Sequence, residues 1–347
     1  MPTLDDVAKA AGVSRGTVSN VFNRPDMVRP ALRSRVEDAA RSLGYGGPDP
    51  KGRLLKEGKF NAIGFMPPGA YAMAEMIRSP YGRELLLGAA LACDAAGATL
   101  SLVNGTDETR TASIREALVD GFILGHSTDI DLVAQAKRRR LPFVILESQA
   151  GPEVNSIRVD GRTGAMAAVR HLAGLGHRRF AFLSIRRTAG PAIVHPPGKA
   201  SRDLETGFAL DHERLGGFRD ALSETGLSLH DMPIIETTPG DSKAGAATFD
   251  HCPGATAIVT MSDWQAITVL DEAARRGLDV PGHVSVVGFD GTAESARTVP
   301  PLTTVAHDIV GKARLAAEMV LANGQPRQVV MPVELLIRGS TAAPRGS

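Results

Sequence analysis

The stretch that decides the fold runs from Thr3 to Tyr45: TLDDVAKAAGVSRGTVSNVFNRPDMVRPALRSRVEDAARSLGY. Its spacing predicts three short helices, the first two joined by a tight turn. Thr3 is placed to cap the first, with Asp6 three residues on in a capping-box arrangement, and Leu4, Val7, Ala8 and Ala11 fall on one face. Gly12 stands where the chain must accept positive φ, and Val13 plugs the corner. Ser14 caps the second helix, which divides Thr17, Val18, Val21 and Phe22 between an inner and an outer face. Pro30 opens the third helix, whose stripe is Leu32, Val36, Ala39, Ala40 and Leu43, and Gly44 stops it. Two helices across such a turn form a helix-turn-helix, a unit that lays its second helix in the major groove of DNA.

One competing motif lies inside this stretch. Gly12-Val13-Ser14-Arg15-Gly16 fits the G-x-S-x-G pattern of a hydrolase nucleophile elbow, but that motif needs a strand before it. An alanine-rich helical pattern precedes it here, so the serine reads as a helix cap.

The run T-L-D-D-V-A-K-A-A-G-V-S-x-x-T-V-S-x-V-F-N and the following R-S-R-V-E-D-A-A-R-S-L-G-Y resemble the N-terminal headpiece of the lactose/galactose repressor family of bacterial regulators. The resemblance extends along nearly the whole chain. It implies a DNA-binding headpiece at 1–46, a hinge at 47–60, and a periplasmic-binding-protein-like core at 61–341 that binds an effector and dimerises. Arg15, Gly16 and Asn20 match the variable base-reading positions of that motif. By its chemistry Arg15 suits guanine O6 and N7, or a phosphate, and Asn20 suits adenine or a phosphate. Gly16, with no side chain, permits only close approach. Ser14, Thr17, Ser19 and Asn23 are better placed for capping and phosphate contacts, which position without specifying.

Residues 46–60, GGPDPKGRLLKEGKF, form the linker, and its Gly and Pro residues prevent the third helix from continuing. K-G-R-L-L-K-E-G resembles the family's hinge helix, in which a leucine wedges into the minor groove and kinks the DNA. Leu55 matches that wedge by its distance to the next strand, with Leu54 beside it. Gly52 stands where alanine is usual and costs a helix ~1 kcal/mol, so this hinge is expected to be disordered without DNA.

Charge agrees with this division. Residues 1–60 carry 11 Lys/Arg against 7 Asp/Glu, a net +4, while the remainder carries 28 against 31, a net −3. A basic head on a slightly acidic body suits a phosphate-binding module attached to something that need not touch DNA. At 347 residues with 43% hydrophobic content, the chain has material for two or three domains. No apolar run approaches the ~18 residues of a membrane span, and MPTLDDVAKA lacks the pattern of a secretory signal, so a cytoplasmic protein is expected. Cys93 and Cys252 are far apart and without ligand neighbours, as befits buried thiols in a reducing compartment.

From Asn61 the periodicity changes to apolar runs at 62–66, 98–103, 121–125 and 142–147, separated by helical patterns near 81–96, 111–118 and 129–140. A second series follows at 180–185, 256–261 and 284–289, with helices near 162–175, 214–226 and 263–277. Runs so alternated make parallel sheets with right-handed crossovers. Two series predict two doubly wound halves, with ligands at the carboxyl ends of the strands. The expected division is 61–160 plus 292–322 for the first half and 161–291 plus 323–341 for the second. The resemblance is carried here by Ser79-Pro80-Tyr81 with Gly88, by N-S-I-R-V-D-G-R-T-G from Asn155, and by H-L-A-G-L-G-H-R-R-F-A-F-L from His171. V-S-V-V-G-F-D-G from Val284, P-P-L-T-T-V from Pro300 and the C-terminal L-L-I-R-G-S-T carry it further.

The same resemblance implies effector contacts at Glu147, Arg214, Ser262, Asp263 and Asp290. Glu147 stands where aspartate is common and Ser262 where asparagine is usual. Carboxylates with a guanidinium suit a polyhydroxylated ligand, although Asp263 could instead cap its helix. Trp264 could stack on a sugar face or pack in the core. Residues 185–213 form a longer connection than the family's, expected as an excursion over the cleft mouth: a lid, a partner contact or a disordered loop. His195 and His212 lack metal-ligand spacing with any Cys or further His. No G-x-G-x-x-G follows a strand, there is no P-loop, and no nucleophile-base set stands out, so no cofactor and no enzyme activity are expected. The expected function is repression of a carbohydrate-uptake or catabolic operon by a homodimer, or a tetramer, on a palindromic operator, switched by a small polar effector. The alternative is a solute-binding component of a transport system.

Overall fold

A computed structural model describes residues 2–47, 58–68, 73–105, 109–125, 130–148, 151–186, 190–198 and 209–345. The chain divides into two compact units, Met1–Phe60 and Asn61–Ser347. In the first, three helices follow the sequence pattern: α1 (Leu4–Ala11), α2 (Arg15–Asn23) and α3 (Pro30–Ser42). The Thr3 hydroxyl accepts from the Asp6 amide at 3.3 Å, and the Asp6 carboxylate accepts from the Thr3 amide at 2.7 Å, closing the capping box. Gly12 adopts φ 62°, and the Val13 amide closes the turn on the Ala8 carbonyl at 3.0 Å. Val7, Val18 and Val36 are fully buried, and Phe22 meets Tyr45 edge to face at 5.7 Å. Leu54 and Leu55, the expected wedge, lie outside the described residues.

In the second unit, strands and helices alternate. The chain runs β1 (Ala62–Met66), α4 (Met73–Arg78), α5 (Pro80–Ala96), β2 (Thr99–Leu102), α6 (Arg110–Glu116) and β3 (Gly121–Leu124). Then come α7 (Ile130–Arg138), β4 (Phe143–Leu146), β5 (Asn155–Val159), α8 (Gly161–Gly174), β6 (Phe180–Ile185) and β7 (Ile193–His195). α9 (Ala209–Ser223), β8 (Ile234–Thr237), α10 (Ala244–His251), β9 (Ala257–Thr260), α11 (Asp263–Arg275) and β10 (Ser285–Asp290) follow. The chain ends with β11 (Thr303–Ala306), α12 (Ile309–Ala322), β12 (Gln328–Met331) and β13 (Glu334–Leu336).

These strands form two sheets, ordered β12-β5-β4-β3-β1-β2 and β13-β11-β10-β9-β6-β8-β7. The first is parallel throughout; the second carries antiparallel edges, β7 against β8 and β13 against β11. The long connection after β6 therefore supplies an edge strand through Ile193–His195, whereas residues 187–189 and 199–208 lie outside the described residues.

The division into halves needs correcting. β11 pairs with β10, Val287 opposite Thr303, which places the segment after Gly291 in the second half, not the first. β12 pairs with β5, Gln328 opposite Ser156, which returns residues 328–331 to the first half. The first half is thus about 61–160 plus 307–332, and the second about 161–306 plus 333–345. Sheet membership follows hydrogen-bonded pairing, and each crossing lies between a strand of one sheet and the next element of the other half.

α12 returns to the first half by lying on α5, where the two backbones nearly touch. A Cβ on Gly88 would come within 2.1 Å of the Val310 carbonyl oxygen. Gly88→Ala is therefore expected to lower stability by about 1–3 kcal/mol, read as a fall in Tm; an unchanged Tm would show that the pair can slide apart freely.

Candidate functional site

On the headpiece, α2 turns Val18 and Val21 inward and leaves Ser14, Arg15, Gly16, Asn20 and Asn23 exposed. The Ser14 hydroxyl accepts from the Thr17 amide at 3.1 Å and lies 2.9 Å from the Thr17 hydroxyl. Asn23 donates to the Ser19 hydroxyl at 3.2 Å. Capping thus occupies Ser14, as its place before the helix predicts. Arg15 approaches only Asp5, at 3.6 Å with both side chains exposed, an ion pair weak enough to give up. A Cβ on Gly16 would meet nothing nearer than the Ser14 hydroxyl at 3.7 Å. Packing within the headpiece gives no reason for glycine there, which leaves close approach of something outside it.

In the second unit, polar side chains converge at the carboxyl ends of strands from both halves. Glu147 directly follows β4, and Asp290 ends β10, with φ of 53° and 121°. Positive φ is costly for such residues and concentrates at functional positions. The first half adds Tyr81 from the first turn of α5 and Lys312 from the first turn of α12; the second adds Arg214 from α9 and His307 directly after β11.

Within the first half, the group is tightly bonded. Lys312 is completely buried and donates through Nζ to Glu147 Oε1 and to the Tyr81 hydroxyl, the latter at 2.7 Å. The Tyr81 hydroxyl lies 3.4 Å from Glu147 Oε1, and Oε2 accepts from the Val159 amide at 3.3 Å. Burial pushes the Glu147 carboxyl up, but Lys312, Arg214 and the Val159 amide outweigh it and hold the group below its ordinary range. Burial, with Glu147 and Asp290 nearby, raises the Tyr81 phenol well above its usual value.

The second half is looser. Arg214 donates to the Met261 carbonyl, and its guanidinium carbon stands 3.6 Å from the Phe289 ring centroid. Its NH2 nitrogen is 3.7 Å from Asp290 Oδ1, and His307 Nε2 is 3.9 Å from the same oxygen, both too long for hydrogen bonds. The His307 ring faces Tyr81 edge-on at 6.0 Å across the two halves. Arg214 Nε and both His307 nitrogens are buried and make no hydrogen bond among the described residues. Burial, with Asp263 and Glu147 adding to it and Arg214 and Lys312 opposing, holds the Asp290 carboxyl well above the carboxylate range. Burial first, then Lys312 and Arg214, hold the His307 imidazole well below its ordinary value.

Glu147, Arg214 and Asp290 are thus brought together, whereas Ser262 and Asp263 are engaged elsewhere. Ser262 caps α11 through the Gln265 amide at 3.2 Å. Asp263 is not the cap; it is a buried tie that accepts from the Thr292 amide at 2.7 Å, the Thr292 hydroxyl at 2.9 Å and the Thr304 hydroxyl at 2.5 Å. Trp264 packs its ring against Gly240, where a Cβ would come within 2.5 Å of it. Asp263→Ala is expected to destabilise the core by about 3 kcal/mol, because it strands buried donors. Burial also raises the Asp263 carboxyl to about 6, against the pull of Thr304 and Thr292. The folded form therefore keeps a proton that the unfolded chain releases near pH ~4. On this account stability falls as pH rises from about 4 to 6, and a Tm series on Asp263→Ala should show a smaller fall. Equal falls in both proteins would remove Asp263 as the source.

Lys312, His307 and Tyr81 were not among the expected contacts. Lys312 carried a readable signal, since it occupies the stripe of Ile309, Ala313, Ala316, Ala317 and Val320, all buried. Among the described residues there is no group of His, Cys, Asp and Glu suited to a metal, and no helix long and apolar enough to cross a membrane.

Comparison with known proteins agrees with both units. Residues 3–47 match the family described as bacterial regulatory proteins, lacI family, and residues 169–341 match a periplasmic binding protein-like domain. An HTH-type transcriptional regulator of Mycolicibacterium smegmatis is 33% identical, covering 99% of this chain and 96% of that protein. The HTH-type transcriptional repressor CytR of Escherichia coli is 31% identical, covering 98% and 96%. Among solved structures, the lac repressor dimer bound to operator and the anti-inducer ONPF has a TM-score of 0.76 at 25% identity, covering 99% of each chain. The complex of the transcriptional regulator CelR with cellobiose has a TM-score of 0.66 at 25% identity, covering 98% of this chain and 100% of that one.

Proposed function

This chain belongs to the lacI family of bacterial regulatory proteins, and from that premise we propose a ligand-switched repressor of a carbohydrate-uptake or catabolic operon. It is a DNA-binding transcription regulator and not an enzyme. In this proposal Arg15, Gly16 and Asn20 meet base edges, Ser14, Thr17, Ser19 and Asn23 hold the backbone, and Leu55 with Leu54 kinks the operator centre. The cleft lined by Arg214, Asp290 and His307 takes a small polyhydroxylated effector, with Glu147 held behind them by Lys312. The observation that carries the ligand reading is the buried set of Arg214 Nε, His307 Nδ1 and His307 Nε2, which make no hydrogen bond among the described residues. Buried donors are costly to leave unmet, and a polar ligand would satisfy them. Cellobiose in the CelR complex supports a sugar-type effector.

An inverted repeat requires two headpieces, hence a homodimer acting in the cytoplasm. Leu87 and Leu91, one turn apart on α5, are about half exposed at 51% and 46% and offer an apolar face for pairing. The lac repressor dimer on its operator supports the same assembly. A transport role gives the headpiece nothing to do.

The test is a binding titration on an inverted repeat selected from random DNA. The full chain is expected to bind with an affinity that falls steeply with salt, and residues 61–347 alone are expected to lose specific binding while still gaining Tm from ligand. Specific DNA binding by residues 61–347 would refute the division of labour.

A further inference from the structure

We propose that the cleft is built for an acidic ligand: a polyhydroxylated compound carrying a carboxylate or phosphate, held by the Arg214 guanidinium and the His307 imidazole. This rests on the reading that the cleft binds an effector, and adds its charge.

The case comes from which groups are already occupied. A neutral sugar is recognised by carboxylates that accept from its hydroxyls, and the acceptors here are largely taken. Glu147 accepts from Lys312, Tyr81 and the Val159 amide. Asp263 accepts from Thr292 and Thr304. The groups left open are donors. Arg214 Nε can only donate, and His307 in its neutral form offers at least one N–H.

Charge points the same way. Lys312 and Glu147 offset each other in direct contact. Arg214 is 3.7 Å from Asp290 without a hydrogen bond, and burial keeps that acid protonated. Tyr81 is a neutral phenol and His307 a neutral imidazole. One positive charge therefore stands at Arg214 in a buried site without an ionised partner bonded to it. A carboxylate or phosphate brings acceptors only, supplies the missing charge, and makes charge-assisted bonds roughly twice as strong as neutral ones. The protonated Asp290 contributes a donor instead of repelling it. Arg214 and His307 lie within 3.7 and 3.9 Å of the same Asp290 oxygen, so a single anionic group can reach both.

The experiment compares matched pairs on the full chain: D-gluconate and D-glucuronate against D-glucose, and D-ribose 5-phosphate against D-ribose, by thermal shift and calorimetry at neutral pH. At least one acid should raise Tm and bind about tenfold or more tightly than its neutral partner. Carboxylate-only or phosphate-only binding distinguishes the two sources. His307→Leu should weaken that acid about tenfold without lowering the ligand-free Tm, since it removes a buried group that has no hydrogen bond. A neutral sugar binding as tightly as its acid overturns the proposal and leaves the effector cleft standing, as does a panel in which no acid shifts Tm. A compound that binds but never alters operator affinity overturns the cleft reading itself. A His307→Leu protein that binds the acid as wild type does removes the imidazole from the site, and with it the proposal as stated.

Discussion

Replacing Arg214 with alanine is expected to abolish the effector response of operator binding while leaving effector-free affinity close to wild type. Arg214 presents a fixed planar fork into the cleft, stacked 3.6 Å over Phe289 and anchored on the Met261 carbonyl. Losing its charge-assisted bonds to the effector should cost ~1.5–3 kcal/mol, about 10- to 150-fold in effector affinity. A ligand shifts an equilibrium only through its different affinity for the two states, so the switch disappears with the affinity. If the effector is an inducer, the mutant is a permanently bound repressor; if it is a corepressor, a permanently released one. Operator titrations of wild type and mutant, with and without effector, decide it, with Tm as the control for folding. A mutant that responds at the wild-type effector concentration would take Arg214 out of the site.

The second large effect belongs to the headpiece. Arg15→Ala is expected to cost ~1–3 kcal/mol of operator binding, about 5- to 150-fold, and to relax preference at one base pair in each half-site. Arg15 is placed at the exposed start of α2, and its only described partner is Asp5 at 3.6 Å. A uniform drop over all sequences would instead make Arg15 a phosphate contact.

The headpiece was legible because its signals are local. Thr3 with Asp6, Gly12, Ser14 and Pro30 act within one turn of their own position, and each does in the structure what its spacing predicts. The alternation of strands and helices was equally plain, since each central strand is a continuous apolar run. Sheet membership was less so. T-T-V-A and Q-V-V-M are four-residue strands whose own sequence does not say which neighbour they join, and pairing with β10 and β5 decides it. Ser262 and Asp263 can each cap a helix, so only the three-dimensional arrangement reveals that the serine caps and the aspartate ties Thr292 and Thr304. Lys312 shows the limit best: a lysine in a buried stripe is explained only by Tyr81 and Glu147, distant along the chain.

The central claim is that cleft and headpiece form one linked system, and thermodynamic reciprocity tests it most directly. The same effector is titrated onto free protein and onto protein saturated with operator. The account predicts that operator changes effector affinity by the same factor by which effector changes operator affinity. An effector that binds through Arg214 with an affinity indifferent to operator would contradict it.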